Sequence, residues 1–153
     1  MQVTILGSGV FGLALANSFL ENKANICMWS KFEKEVNNLK EKYLSFSFTS
    51  NLEEATDKAD LIVIAVPVAF LEETMIAYQP FYKGQDILIA SKGIDTKEQY
   101  FAYEIVRKYL KDVKIGVISG GTFAKDMSEK NVMGLTLGTS VSSIQDKVRN
   151  SLE

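Results

Sequence analysis

The chain begins with a short apolar run that leads straight into three closely spaced glycines, and this stretch constrains the fold more than any other. Gln2–Leu6 has the pattern of a buried strand, the turn reads GSGVFG, and the apolar run Val10–Glu21 has the pattern of a helix. In such a unit the first glycine permits a tight turn, the second admits a pyrophosphate to the backbone, and the third lets helix and strand pack closely. The stretch therefore predicts a dinucleotide site at Gly7, Gly9 and Gly12, with the anion at the helix N-terminus.

Short apolar strands alternate with helices along the rest of the chain. Further strands are expected at Asn25–Trp29, Phe46–Thr49, Leu61–Val66, Asp86–Ala90, Lys114–Ile118 and Val132–Leu137. Further helices are expected at Phe32–Tyr43, Leu52–Thr56, Lys97–Leu110 and Ser142–Leu152, and one more begins near Pro67. Because strands that alternate with helices form parallel sheets, residues 1–153 are predicted to form one α/β domain. We expect a Rossmann-like, doubly wound, mainly parallel sheet with helices on both faces.

Composition narrows the class of function. The formal net charge is −2 with no long run of either sign, so the chain lacks the basic face that polyanion binding requires. The sequence contains no histidine, which removes the usual general base at neutral pH and the usual ligand of a metal site. Cys27 is the single cysteine, and no apolar run is long enough to span a membrane. We expect no secretory signal, because Met1 leads directly into an apolar strand without a cationic segment and a separate apolar segment. We expect a cytoplasmic protein with a small-molecule substrate and with no metal, nucleic acid or membrane span.

The end of the second predicted strand bears on the choice of cofactor. NAD-binding domains place an acid there, about 20 residues after the glycines, to bind the ribose 2′-hydroxyl. Here the strand ends in Trp29, Ser30 and Lys31, and no acid precedes Glu33. A lysine at this point either pairs with the 2′-phosphate of NADP or is a solvated residue at the start of a helix. Both NAD and NADP therefore stay open as cofactors.

Four stretches together make the chain resemble a known family. They are GVFGLALA in the first turn, IVIAVP at Ile62–Pro67, ASKGID at Ala90–Asp95 and VISGGTFAKDM at Val117–Met127. In this order and spacing they resemble the N-terminal domain of NAD(P)-dependent glycerol-3-phosphate dehydrogenase. The resemblance covers nearly the whole chain, and its last two motifs are far more selective than the glycine turn.

The resemblance implies cofactor contacts at matching positions. Val10 and Phe11 would lie on the dinucleotide beside the glycine turn, and Lys31 would lie near its adenosine end. Phe70, just beyond the Val-Pro end of a strand, is a further cofactor-contact candidate. The resemblance also implies a pocket for the nicotinamide and the substrate, lined by Lys92, Gly120, Thr122 and Ala124.

Lys92 is the predicted catalytic residue of this chain, in contact with both substrate and nicotinamide. A lysine directly after a buried strand lies at the carboxyl edge of the sheet, where ligands of doubly wound folds bind. A cation there neutralises a phosphate or polarises a carbonyl while hydride is transferred to carbon. On location alone, Lys92 can equally be a surface lysine of a strand-to-helix turn. Thr122 offers a hydroxyl to the substrate, caps the helix after it, or does both.

Three departures from the family pattern limit what can be carried over. Gly121 stands where the family has proline, so a flexible residue replaces a rigid one beside the substrate. Val68 stands where the family has serine, so one hydroxyl near the cofactor is lost. The segment after the second strand is short, and the family's Asn-x-x-Tyr-Leu-Pro signature remains only as KYLS at 42–45. Contacts from that segment are not expected here.

The resemblance also implies a helical C-terminal domain that this chain lacks. That domain would hold the proton-donating lysine, the ligands of the substrate phosphate and most contacts of a homodimer. We therefore expect this chain to be a fragment that binds the cofactor and has little or no turnover. In the intact enzyme, hydride would pass reversibly between NAD(P)H and dihydroxyacetone phosphate, giving sn-glycerol 3-phosphate for phospholipid synthesis.

Three other interpretations stay open. One is another dehydrogenase that joins a Rossmann domain to a helical domain, such as ketopantoate reductase or a β-hydroxyacid dehydrogenase, although those families differ at the SGGTFA motif. Another is a nucleotide-sensing module without catalysis, which the Gly121 substitution and the lost loop signature leave open. The last is a structural domain whose glycines serve the turn alone.

Overall fold

A seven-stranded sheet forms the centre of the structure, a computed structural model that describes residues 1–120 and 134–152. The first six strands run parallel in the order β3-β2-β1-β4-β5-β6, and β7 is antiparallel to β6 at one edge. The direction of winding reverses between β1 and β4, and at such a switch point the ligands of doubly wound folds bind. The strands are β1 Gln2–Leu6, β2 Asn25–Trp29, β3 Ser47–Thr49, β4 Leu61–Ile64, β5 Asp86–Ile89, β6 Ile115–Ser119 and β7 Thr136–Thr139.

Helices cover both faces of the sheet, as the sequence predicts. They are α1 Val10–Glu21, α2 Glu33–Lys42, α3 Leu52–Thr56, α4 Leu71–Tyr78, α5 Ala102–Tyr109 and α6 Ser142–Leu152. Side chains alternate between the two faces along a strand, so the sheet has an apolar cluster on each face. Val3 and Ile5 pack with residues of α1, α2 and α6 on one face, whereas Leu6 packs with residues of α3, α4 and α5 on the other. The prediction of a doubly wound, mainly parallel sheet is confirmed.

Most of the predicted elements lie where the sequence places them, but one helix begins later than expected. The helix predicted over Lys97–Leu110 starts only after Phe101. The Asp95 carboxylate accepts hydrogen bonds at 3.1 and 2.8 Å from the backbone N–H groups two and three residues later, so a turn forms there. Ile94 then pairs with Phe101 in an antiparallel bridge that closes the segment into a loop. Apolar periodicity did not reveal this local competition between a turn and a helix.

The strand predicted over Val132–Leu137 is misplaced along the chain. The structure has β7 at Thr136–Thr139, and the first two residues of the predicted strand lie outside the described residues. The strand register sets this boundary, because Thr136 pairs with Ser119 at one end of the ladder. At the other end the Thr139 hydroxyl donates to the carbonyl of Ile115 at 2.9 Å. An apolar run alone does not say where such a ladder begins.

The amino ends of the strands carry a partly buried ion pair on the side of the sheet away from the glycine turn. Lys147 of α6 contacts the carboxylate of Asp86 at 2.7 Å and donates to the backbone carbonyl of Asp60 at 2.9 Å. Only 5% of the Asp86 side chain is exposed. The pair therefore anchors α6 beneath β4 and β5.

No helix within the described residues is long and apolar enough to cross a membrane.

Candidate functional site

Two of the three glycines of the first turn are required by the fold itself. Gly7 has a φ of +117°, and a Cβ there would lie 2.9 Å from backbone atoms of Ala65 and Val66. Its N–H donates to the carbonyl of Trp29 at 2.9 Å, which fixes the turn to the end of β2. A Cβ on Gly12 would lie 2.5 Å from the carbonyl oxygen of Gly7. A side chain at either position would push apart backbone segments that now touch.

Gly9, by contrast, has no neighbour in the described protein that requires glycine. It is exposed, it is the N-cap of α1, and a Cβ built there meets no atom within 4 Å. No side chain caps this helix, and its first turn contains no acid. The first N–H groups of a helix have no partners within the helix, and the helix dipole makes this end attractive to anions. The space above Gly9 therefore fits the pyrophosphate of a dinucleotide, which was the predicted reason for this glycine.

A cleft of about 530 Å³ opens directly above the glycine turn. Its walls come from the turn itself, the end of β2 and the segment that leads from β4 into α4. Three apolar side chains on its rim are well exposed: Val10 at 68%, Phe32 at 66% and Phe70 at 58%. Exposed apolar side chains around a concave site are typical of a site that covers the flat rings of a ligand.

The β2 end of the cleft carries acidic residues that the sequence analysis did not assign. Glu35, in the first turn of α2, accepts a hydrogen bond from the Ser30 hydroxyl, and the Phe32 N–H donates to that hydroxyl at 3.3 Å. Lys31 forms an ion pair with Glu73 from the first turn of α4. NAD-binding domains place the acid at the strand end itself, whereas Glu35 reaches the end of β2 from the first turn of the following helix. Nothing in the sequence indicated the contact of Glu73, which lies 42 residues after Lys31.

Lys92 lies at the opposite end of the site, in the loop after β5. The Ser91 hydroxyl donates to the carbonyl of Val66 at 2.6 Å, which ties this loop to the segment after β4. The Lys92 ammonium lies 4.8 Å from the centre of the Phe11 ring, within the range of a cation–π contact. Lys92 also lines a second cleft of about 370 Å³, which Phe101 and Ser119 line as well. Lys92 therefore lies between the cleft above the glycine turn, through its contact with Phe11, and a second, smaller cleft.

The structure brings most of the predicted site residues to one edge of the sheet. The first cleft is lined by Gly7, Gly9, Val10, Phe11, Lys31 and Phe70, and Gly12 lies beneath it. Gly120 follows β6 at the same edge, whereas Thr122 and Ala124 lie outside the described residues. No cluster of three or more metal-ligating His, Cys, Asp or Glu side chains occurs in the described ranges. The individual roles of these residues stay predictions.

Comparison with known proteins gives a consistent result. The family model for the N-terminus of NAD-dependent glycerol-3-phosphate dehydrogenase matches residues 2–145. A glycerol-3-phosphate dehydrogenase (NAD(P)+) of Acinetobacter baylyi is 31% identical over 165 residues, which covers all of this chain and 45% of that protein. The chain therefore spans less than half the length of that relative.

Two solved structures share the fold over almost the whole chain. A glycerol-3-phosphate dehydrogenase of Coxiella burnetii superposes with a TM-score of 0.90 at 21% identity, covering 98% of this chain and 50% of that one. A glycerol-3-phosphate dehydrogenase of Plasmodium falciparum gives a TM-score of 0.88 at 20% identity, covering 100% of this chain and 50% of that one. At these identities the likeness concerns the fold.

Proposed function

The chain belongs to the NAD-dependent glycerol-3-phosphate dehydrogenase family, in its N-terminal part, and from this premise we propose that it is the domain with which such an enzyme binds NAD or NADP. The observation that carries the proposal is the open space at Gly9, at the N-cap of α1 and on the floor of the cleft. Packing explains Gly7 and Gly12, whereas no contact among the described residues requires glycine at position 9, so Gly9 fits a bound ligand as well as its place as a helix N-cap. Its free helix end suits a pyrophosphate, and the apolar rim suits the rings.

The proposed cofactor lies along the cleft with its adenosine half toward β2 and its nicotinamide half toward Lys92. When bound, the nicotinamide supplies or accepts the hydride. Val10 and Phe70 cover the dinucleotide, and Lys31 lies at the adenosine end. Phe11 holds the Lys92 ammonium through the cation–π contact, so this cation is in place at the nicotinamide end before substrate arrives.

The proposed reaction is reversible hydride transfer between NAD(P)H and dihydroxyacetone phosphate, giving sn-glycerol 3-phosphate. Lys92 binds the substrate at its carbonyl or phosphate oxygen and stabilises the negative charge that develops there. Gly120, Thr122 and Ala124 are proposed to line the same pocket. The new alcohol oxygen needs a proton, and the sequence contains no histidine to deliver it. We assign that proton to a lysine outside this chain.

The whole protein is proposed to contain a helical domain beyond these residues, which completes the substrate site and most of a homodimer interface. The support is that the Acinetobacter baylyi relative is more than twice as long as the part that matches. On this proposal residues 1–153 bind the cofactor but do not turn over alone. The enzyme works in the cytoplasm, and its product enters phospholipid synthesis.

Thermal unfolding of the chain with and without NADH and NADPH tests cofactor binding. A ligand that binds only the folded state stabilises it by about 2.7 kcal/mol at 100 times its dissociation constant. For a domain of this size, that raises the Tm by roughly 5–11 °C. An unchanged Tm with both nucleotides, at concentrations up to several millimolar, would contradict the proposal and favour a purely structural domain.

A second assay tests the substrate, using the protein expressed from its natural gene. Oxidation of NADH or NADPH is followed with dihydroxyacetone phosphate, ketopantoate and a β-keto acid. We expect turnover with dihydroxyacetone phosphate only. Turnover with another substrate would show a different dehydrogenase, and tight nucleotide binding without any turnover would show a sensing module.

A further inference from the structure

The dinucleotide cleft has an uneven distribution of charge. Among the described residues that line it, the ionisable side chains are Lys31, Glu35 and Glu73, and all three lie toward the β2 end. One cation and two carboxylates give that end a formal charge of −1. Of these three side chains, the sequence predicts only Lys31 at the β2 end, so the sequence alone leaves the choice between NAD and NADP open.

Contacts within this group show how the single cation is used. The Lys31 ammonium is paired with the Glu73 carboxylate, and both side chains are more than half exposed. The Thr74 hydroxyl donates to the carbonyl of Phe70 at 2.8 Å, so the first turn of α4 that carries Glu73 is well formed. The contact draws the lysine toward α4. The second carboxylate, that of Glu35, accepts a hydrogen bond from the Ser30 hydroxyl.

We propose that Glu73 is a specificity-determining residue that, by engaging Lys31, makes this cleft select NAD(H) over NADP(H). The inference rests on the proposed function, because it concerns the adenosine end of the same dinucleotide. A 2′-phosphate carries a charge of about −1.5 to −2 at pH 7 and needs a cation. Here the cation already has a carboxylate partner, and two carboxylates repel the phosphate. The 2′-hydroxyl of the NAD ribose can instead donate a hydrogen bond to a carboxylate, as it does to the acid at the end of the second strand in NAD-binding domains.

The expected size of the effect follows from the exposure of the pair. An exposed ion pair contributes little to stability, so Lys31 can pair with a 2′-phosphate once the Glu73 carboxylate is removed. The discrimination therefore comes mainly from the net charge near the phosphate, which changes from −1 to 0 when Glu73 becomes glutamine. We expect this change to tighten NADPH binding by about fivefold, at a low salt concentration where screening is weak. Binding of NADH should change by less than about twofold, because NADH has no 2′-phosphate near Glu73 and its pyrophosphate lies at the glycine turn.

The test is a fluorescence titration of the 153-residue chain with NADH and with NADPH. The variants are Glu73→Gln, the double variant Lys31→Met with Glu73→Gln, and the control Glu53→Gln. Glu53 lies exposed on α3 outside the cleft, so its substitution changes the net charge of the protein equally without changing the site. Thermal unfolding of each variant without nucleotide shows whether the fold is intact.

The expected result is that the unchanged chain binds NADH more tightly than NADPH, and that Glu73→Gln narrows this ratio about fivefold while Glu53→Gln does not. The double variant should lose the gain, because the phosphate then has no cation. If both nucleotides bind and Glu73→Gln leaves their ratio unchanged, or if the unchanged chain prefers NADPH, the inference is overturned and the dinucleotide site stands. If neither nucleotide binds to any variant, the proposed function fails and the inference fails with it.

Discussion

Replacing Gly9 by alanine separates what the glycine turn does for a ligand from what it does for the fold. Gly9 has φ −67° and ψ 174°, an extended conformation that alanine adopts freely, and its Cβ would meet no atom within 4 Å. Alanine is a poorer N-cap than glycine by about 1 kcal/mol, but it also stabilises by about 0.4–1 kcal/mol through the unfolded chain. Because these effects oppose each other, we expect the free energy of unfolding to change by less than about 1 kcal/mol.

Nucleotide binding should respond very differently to the same methyl group. It would occupy the space that a pyrophosphate needs, and we expect NADH affinity to fall at least about tenfold, or about 1.4 kcal/mol. The assay is a fluorescence titration with NADH, together with thermal unfolding at one fixed nucleotide concentration. Without NADH, the Gly9→Ala variant should have the same Tm as the unchanged chain. With NADH, its Tm should be lower than that of the unchanged chain.

Gly12→Ala is the matched comparison within the same turn. Its Cβ would lie 2.5 Å from the Gly7 carbonyl oxygen, so the backbone must move, at a cost of about 1–3 kcal/mol. At about 2–4 °C per kcal/mol, the Tm without nucleotide should fall by roughly 2–12 °C. The reasoning would be refuted if Gly9→Ala bound NADH normally, or if it lowered the Tm without nucleotide as much as Gly12→Ala.

Three further predictions concern other parts of the molecule. Lys92→Met should lower turnover of the whole enzyme by about 100-fold or more in steady-state kinetics, while the affinity of the chain for NADH should change by less than about threefold. Equal losses of turnover and of NADH affinity would contradict a role of Lys92 at the substrate. Lys147→Met should lower the free energy of unfolding in urea by about 2 kcal/mol, because it leaves the buried Asp86 carboxylate without its cation, and adding Asp86→Asn should restore most of it. Burial raises the pKa of Tyr78 well above its ordinary value of 10.0. As the pH rises, this tyrosine therefore loses its proton in the unfolded chain before it does in the folded one, so the free energy of unfolding should fall above about pH 10. Tyr78→Phe should make that decline shallower by up to about 1.4 kcal/mol per pH unit, and identical slopes in alkaline urea titrations would contradict the assignment.

The sequence predicted the fold well because its strongest signals are local. Apolar runs and the glycine turn place β1, α1 and β2 with their observed bounds, and the alternation of strands and helices predicts a doubly wound, mainly parallel sheet. The later start of α5 was missed, because the Asp95 turn competes with helix formation through a side-chain contact that periodicity does not register. The position of β7 was missed because a ladder register, not an apolar run, decides it.

The candidate site was predictable at one end and not at the other. Gly9, Phe11 and Lys92 belong to motifs whose spacing in the chain places them at the carboxyl edge of the sheet. Glu73 belongs to no motif, and its contact with Lys31 depends on how α4 is seated against the end of β2. A contact between exposed side chains that lie 42 residues apart in the sequence arises from tertiary packing. The sequence therefore did not predict the two carboxylates at the β2 end of the cleft.

The reversed direction of β7 has a consequence for how the substrate side of such a domain can vary. Because β7 runs opposite to β6, Ser119 and Thr136 lie side by side at the edge of the sheet that carries the cleft. Gly120 and Gly134 are so close that a Cβ on the first would lie 2.7 Å from the carbonyl oxygen of the second. The described residues on either side of positions 121–133 thus lie next to each other. On the proposed function, which assigns substrate contacts to Thr122 and Ala124, the substrate side of the domain can therefore change in sequence and length while β6 and β7 keep their register.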